Sequence, residues 1–214
     1  MKVPQDLPLE KLGPLGCGVQ TGAGAVLNVA RVAPGDSVAV IGCGGVGLSA
    51  VMAAAASGAT TIIAVDINPD RLALAAELGA TDAVNASEDD PVETIRGLTG
   101  GGVDHAFECL GRQETIEQTV QAAKQLGNAV ITGALGLDVT ATFDTFSLIS
   151  KNIRGNVGGT GIAHDLINRL IRLWQSGQFP FDRLTTTTYR LEQINDALGD
   201  MHEAKVVKPL LVYS

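Results

Sequence analysis

Only three cysteines occur in the 214 residues, Cys17, Cys43 and Cys109, an odd number with no C-x-x-C spacing. That excludes a disulfide framework and fits a reducing compartment. Basic side chains are also short: 15 Lys and Arg stand against 23 Asp and Glu, a formal charge of −8. Phosphate backbones need clustered cations, so a nucleic-acid partner is not expected. No apolar run is long enough to span a bilayer; the most apolar, around "LSAVMAAAASGA", is too short and opens on a glycine loop. The opening "MKVPQDLPLEKLG" has no apolar core after its lysine, which argues against a secretory signal. Together these absences point to a soluble, cytoplasmic protein with neither nucleic acid nor membrane as partner.

What is present suits a packed α/β fold: 45% hydrophobic residues, 26 glycines, and a length that can bury its own core. After Pro34-Gly35-Asp36, "SVAVIG" reads as a short buried strand, followed by glycines and the alanine-rich helix "VGLSAVMAAAASG". "TTIIAVD" is a second buried strand. The next helix, "NPDRLALAAELG", is punctuated by Asn68 as cap, Pro69 at the first position and Gly79 at its end. "TDAVNA" is a weaker strand, and Asp90, Pro91 and Glu93 open another helix with capping-box spacing. "VDHAFECLG" (strand), "QETIEQTVQAAKQLG" (helix) and "NAVITG" (strand) follow. Alternating strands and helices with right-handed crossovers give a doubly wound parallel sheet. Beyond Gly133 the pattern loosens. "SLISKNIRGNVGG" reads as one more strand toward an edge. "AHDLINRLIRLWQSG" is an amphipathic helix with Leu166, Ile167, Leu170, Ile171 and Trp174 on a packing stripe. The tail reads strand ("LTTTTYR"), helix ("LEQINDALGDMHE"), strand ("VVKPLLVYS").

Gly42, Gly44 and Gly47, with Gly45 and Val46 between the last two, form G-x-G-x-x-G between a predicted strand and a predicted helix. The first glycine allows the tight turn, the second lets a pyrophosphate approach the backbone, and the third lets helix and strand pack closely. The helix N-terminus offers free N–H groups to that phosphate. Asp66 ends the next strand, 19 residues after Gly47. A carboxylate there accepts hydrogen bonds from ribose hydroxyls and repels a 2′-phosphate, favouring NAD over NADP. Arg71 could reach the same ribose or the adenine and weakens the case against NADP. Two other readings compete: glycines that only close turns, and a methyltransferase, which also ends its second strand with an acid. The strand-helix context and the Asp66 spacing favour a dinucleotide.

Cys17, between two glycines, could be a buried filler, a nucleophile or one ligand of a metal site. Cys43 inside the glycine loop and Cys109 at a strand end read as structural. His105 within a strand, His164 near a helix start and His202 in the last helix give no metal-pair spacing and read as satisfied or solvated. Tyr189 is followed four residues later by Gln193, so no Tyr-x-x-x-Lys is present, and no serine sits in a G-x-S-x-G elbow.

"GCGVQTGAGAVLNVARVAPGDSVAVIGCGGVGLSAV", "VDINPDRLALAAELGATDAVN" and "GGVDHAFECLG" together resemble the zinc-dependent medium-chain alcohol dehydrogenases, nearest the aryl- (benzyl-) alcohol branch. The likeness runs from about Leu7 to Tyr213. It implies a Rossmann fold and NAD-dependent oxidation of a primary alcohol to an aldehyde. In that family the cysteine matching Cys17 is one of three protein ligands of a catalytic zinc, which leaves a fourth position open. Thr21 matches a residue near the nicotinamide. Leu110 and Arg112 match positions bordering the adenosine and the nicotinamide side of the cofactor, Thr132 and Ala134 positions by the nicotinamide, and Lys208 a pyrophosphate-binding arginine. The resemblance divides the chain into a junction segment (1–18), an NAD-binding domain (19–161) and a C-terminal tail (162–214) that in the family packs on a catalytic domain absent here. Two expectations follow: the cofactor-binding portion of an alcohol dehydrogenase, inactive alone and not retaining zinc, or a stand-alone nucleotide-binding module or truncated product. The edge strand near Lys151–Gly159 implies a homodimer, as an unpaired edge invites strand addition.

Overall fold

The computed structural model describes Val3, residues 7–134 and residues 138–213. Residues 1, 2 and 4–6 of the opening stretch read for a leader, and Ser214 of the last strand reading, lie outside the described residues. A short helix α1 (Leu9–Leu12) and a 3₁₀ turn lead into α2 (Gly18–Gly24), which continues as a π-helical stretch to Ala30. Six strands alternating with five helices follow: β1 (Ser37–Ile41), α3 (Gly45–Ala56), β2 (Thr61–Asp66), α4 (Pro69–Glu77), β3 (Asp82–Asn85), α5 (Pro91–Thr99), β4 (Val103–Glu108), α6 (Gln113–Ala122), β5 (Ala123–Ile131), α7 (Thr145–Ser150) and β6 (Asn152–Gly155). The six strands form one parallel sheet in the order β3-β2-β1-β4-β5-β6. The order reverses between β1 and β4, which makes the expected doubly wound sheet with its switch point at the end of β1.

The predicted punctuation acts as such. The Asn68 side chain accepts from Asp70 N–H, and Asp90 accepts from Val92 and Glu93 N–H, each followed by proline at the first turn. Helix α3 is buried almost all round, with Leu48, Ala50, Val51, Met52, Ala53 and Ala54 inaccessible. It lies between the sheet and α2, whose Gly22 approaches so closely that a Cβ would sit 2.0 Å from the Val46 carbonyl oxygen. Helix α8 (Ala163–Gln175) turns Leu166, Leu170 and Ile171 into the same apolar cluster as Val38 and Val40 of β1, with Ile167 and Trp174 packed at its margin.

Three segments differ from the sequence reading. The helix expected through Gly127 ends at Ala122, because Ala122 and Ala123 are buried and Ala123 pairs with Val103 of β4. Tertiary pairing overrides helical propensity there, and the extra residues are absorbed as a register shift before His105 pairs with Asn128. "SLISKNIRGNVGG" is not one strand: Asp144 caps α7 by accepting from Ser147 N–H, and β6 keeps only four residues. In the tail, β7 (Thr188–Arg190) and β8 (Leu210–Val212) shrink to three residues each and pair with one another, parallel, outside the main sheet; α9 (Ile194–His202) lies between them in sequence.

The N-terminal ends of β1 and β4 are tied by polar side chains. Asp104 accepts from the Ser37 N–H at 3.0 Å and the Ser37 hydroxyl at 2.6 Å, and pairs with Lys124. Buried His105 bridges Asp36 (2.9 Å) and Asn128 (3.0 Å), while His164 and His202 are exposed. Partial burial opposes the Asp104 charge, but the hydrogen bonds from Lys124 and Ser37 outweigh it and lower its pKa from 3.8 to about 2. A lowered carboxylate pKa adds stability that is complete above the unfolded value and disappears as pH falls through the folded one. Asp104→Asn should therefore lower the melting temperature at neutral pH and flatten its acid dependence between 3.8 and about 2. Melting curves across that range check this; an unchanged acid limb would refute it.

Candidate functional site across the strand ends

Register places the site. Val65, Ile41, Glu108, Ile131 and Gly155 stand side by side on β2, β1, β4, β5 and β6. The ladder then runs one residue further. Gly42 N–H donates to Val65 C=O (2.8 Å), Cys109 N–H to Ile41 C=O (2.9 Å), Thr132 N–H to Glu108 C=O (2.9 Å) and Asn156 N–H to Ile131 C=O (2.9 Å). Asp66, Gly42, Cys109, Thr132 and Asn156 thus line up across the carboxyl ends of the strands, where open α/β sheets bind ligands.

The glycine loop has the geometry its spacing implies. Gly42 has φ +95°, and a Cβ at Gly47 would lie 1.8 Å from the Gly42 carbonyl oxygen. Gly44 and Gly45 are different. A Cβ on Gly44 would meet only an Arg71 guanidinium nitrogen at 3.4 Å, and one on Gly45 nothing within 4 Å. Gly44 precedes α3 without any side-chain cap, so the first N–H groups of the helix, around Gly45, Val46 and Gly47, stay available to an anion. Two cations flank this approach. Arg71 Nε is buried without a hydrogen-bond partner, and Lys208 Nζ comes within 3.7 Å of where a Gly18 Cβ would be, beside Val46.

Asp66 fastens the loop from below: one carboxylate oxygen accepts from Cys43 N–H (2.7 Å), the other from Asn68 N–H (2.9 Å). Each keeps a lone pair for a further donor. Beside it opens a cleft of about 180 Å³ lined by Ile41, Asp66, Ile67, Ala86, Leu110 and Arg112. Ile67 and Leu110 are large exposed apolar side chains there, suited to hold a flat base between them. Leu110 and Arg112 therefore both belong to the Asp66 side. Cys43 is buried, and burial first, then the Asp66 charge, pushes its thiol pKa far up, which fits filler rather than a nucleophile.

Cys17 is exposed at the cap position of α2, where its carbonyl accepts from Thr21 N–H (3.0 Å) and the Thr21 hydroxyl (2.9 Å). Thr21 reaches Thr132 through one intermediary, the Asn156 side chain, which donates to the Thr21 carbonyl (3.0 Å) and the Thr132 hydroxyl (3.3 Å). Ala134, beyond Thr132, is exposed.

Two residues of this arrangement escape a reading of the sequence. Glu108 is fully buried, with one oxygen accepting from Leu110 N–H (2.8 Å), Gly111 N–H (2.7 Å) and the Thr115 hydroxyl (2.7 Å), and the other from Gly133 N–H (3.2 Å). It fastens the loops after β4 and β5 together. The signal was an acid directly after Ala106 and Phe107 at the end of the strand, before Cys109. Asn156 carries no comparable signal, because its partners are remote in sequence.

Residues 45–175 match the family model described as zinc-binding dehydrogenase. The chain belongs to this family. The chain is 40% identical over its whole length to geraniol dehydrogenase of Castellaniella defragrans, of which it spans 58%. Among solved structures, an alcohol dehydrogenase zinc-binding domain protein from Burkholderia ambifaria is 50% identical, with a TM-score of 0.96 over all of this chain and 58% of that one. Benzyl alcohol dehydrogenase from Acinetobacter calcoaceticus is 45% identical, with a TM-score of 0.97 over all of this chain and 59% of that one. The chain thus spans a little under three fifths of the length of these relatives.

The residues present fit an NAD(P)-type cofactor: an open backbone approach at Gly44, an unpartnered buried guanidinium nitrogen, and the Asp66 carboxylate beside an apolar cleft. They do not make a zinc site. Among the described residues no three His, Cys, Asp or Glu converge, and a single thiolate is not a zinc-binding set.

The two glycines make opposite predictions. Gly44→Val, with extended backbone at φ −78°, ψ −170°, should melt like the wild type yet lose dinucleotide binding by more than ~100-fold, since the side chain fills the pyrophosphate approach. Gly47→Ala should instead destabilise the fold by roughly 1–3 kcal/mol through backbone overpacking. Melting curves paired with calorimetric NAD titration separate the two, and a Gly44→Val protein that binds NAD normally would reduce the loop to a turn.

Proposed function

We propose that this chain is the NAD-binding portion of an alcohol dehydrogenase that oxidises a primary, aryl-class alcohol to its aldehyde by hydride transfer to NAD. The observation that carries the reading is the row of strand ends with Asp66 at one side, the open Gly44 approach in the middle and Thr132 at the other. Relatives named for benzyl alcohol and geraniol, both primary alcohols next to an unsaturated carbon, support the substrate class. When bound, the nicotinamide ring supplies the hydride acceptor.

The chain's own residues bind and orient. Asp66 accepts from the adenosine ribose hydroxyls, Ile67 and Leu110 enclose the base, and Arg112 borders the same cleft. The backbone at Gly44, Gly45, Val46 and Gly47 faces the pyrophosphate, with Arg71 and Lys208 as its cations. Thr21, Thr132 and Ala134 border the nicotinamide, and Cys17, exposed at the mouth of the channel, is the residue we assign toward a zinc site. No step is derived through that metal. A second reading, a nucleotide-binding module without turnover of its own, is favoured by the lack of a three-ligand cluster among the described residues.

The 214-residue chain should bind NAD at least ~tenfold more tightly than NADP, because the 2′-phosphate would lie against the Asp66 carboxylate. Asp66→Ser should narrow that gap and leave Arg71 to meet the phosphate. Calorimetry with both dinucleotides checks this, and equal affinities in the wild type would defeat the NAD assignment. In the same preparations, NAD reduction with benzyl alcohol is expected to be absent; turnover lost in Cys17→Ala would show that the chain completes its own catalytic site.

The homodimer rests on the sheet edge. β6 is the outermost strand, and Leu126, Phe146, Leu148, Ile149 and Val157 near it are exposed. Open backbone groups beside such side chains favour pairing with a second copy. Light scattering at micromolar concentration should give twice the chain mass; a strictly monomeric mass would contradict the assignment.

A further inference from the structure

Asn156 is 4% exposed, and every polar group of its side chain is engaged. Its amide nitrogen donates to the Thr21 carbonyl (3.0 Å) and the Thr132 hydroxyl (3.3 Å), while its amide oxygen accepts from the Thr160 hydroxyl (3.2 Å). Three walls meet there: α2, the end of β5 and the loop after β6. None of these bonds is needed for secondary structure. The Thr21 carbonyl already accepts within its helix from Ala25 N–H, and the Asn156 backbone N–H makes the ladder bond to Ile131. A buried amide held apart from the ladder in this way serves position rather than folding.

The position matters because of where a dinucleotide must run. Its adenosine half is taken by the Asp66 cleft beside β2, and its pyrophosphate by the loop after β1. The other half then arrives over the ends of β4, β5 and β6, between Thr21 and Thr132. Because the Thr132 oxygen accepts from Asn156, its own hydrogen is left to donate elsewhere.

We propose that Asn156 is a positioning residue for the nicotinamide half of the cofactor: it sets the spacing of Thr21 and Thr132 and leaves the Thr132 hydroxyl as a donor into the channel. The proposal rests on the cofactor reading above.

The test compares NADH with ADP-ribose, which shares the adenosine and pyrophosphate but lacks the nicotinamide ring. Asn156→Ala should weaken NADH binding by about tenfold, the scale of one or two hydrogen bonds, and leave ADP-ribose within about twofold of the wild type. Asn156→Asp, which keeps the shape and loses the donor, should show the same split. Should either variant fail to fold, Thr132→Val removes the other partner at nearly constant volume and carries the same expectation. Variants that bind both ligands like the wild type, or lose both equally, would overturn the assignment. A wild-type chain that binds neither ligand would overturn the cofactor reading itself, and this assignment with it.

Discussion

One row of backbone hydrogen bonds governs this molecule: the parallel ladder that continues a residue past the strand ends at Gly42, Cys109, Thr132 and Asn156. A parallel sheet covered on both faces has no water to satisfy its amides, so register is strongly enforced. A slip of one residue would turn each strand's side chains to the opposite face and scatter the row. Because the ladder holds, residues far apart in sequence stand in one row at the carboxyl edge of the sheet. The fully buried Glu108 extends the same logic past the sheet. It gathers donors from the loops after β4 and β5, groups that would otherwise be costly orphans.

Close backbone approach is the second constraint. Gly47 lets α3 start directly over β1, and Gly22 lets α2 rest on the start of α3. That second contact sets α2, with Cys17 as its cap and Thr21 within it, against the start of α3. The glycines of α2 are therefore a packing device before they are anything else, and the exposed thiol inherits its place from them. Gly44 and Gly45 have no such backbone neighbour, so packing does not account for the missing side chain at either position.

Charge is arranged locally against the global sign. The chain carries −8 overall, unfavourable for an anionic cofactor at long range. Screening at physiological salt confines that field to about 8 Å, so nearby groups decide. Arg71 and Lys208 stand beside the glycine loop, and the open N–H groups of α3 face the same space. Asp66 sits at one side of that cationic patch, where its carboxylate accepts from the Cys43 and Asn68 N–H groups.

Much of this was legible in the chain itself, wherever the cause is local. The caps at Asn68 and Asp90, the G-x-G-x-x-G turn and the acid at the end of β2 each act within a few residues or one α/β unit, so spacing alone determined them. The alternation of elements likewise determined the doubly wound sheet. Only the tertiary structure decided the rest. Helix α6 stops at Ala122 because Val103 claims Ala123 as a strand partner, a pairing no helical pattern reveals. Lys208 reaches Gly18, and Asn156 joins Thr21 to Thr132, through contacts between opposite ends of the chain. Such contacts follow from strand order and helix packing, which exist only once the sheet has closed on its core.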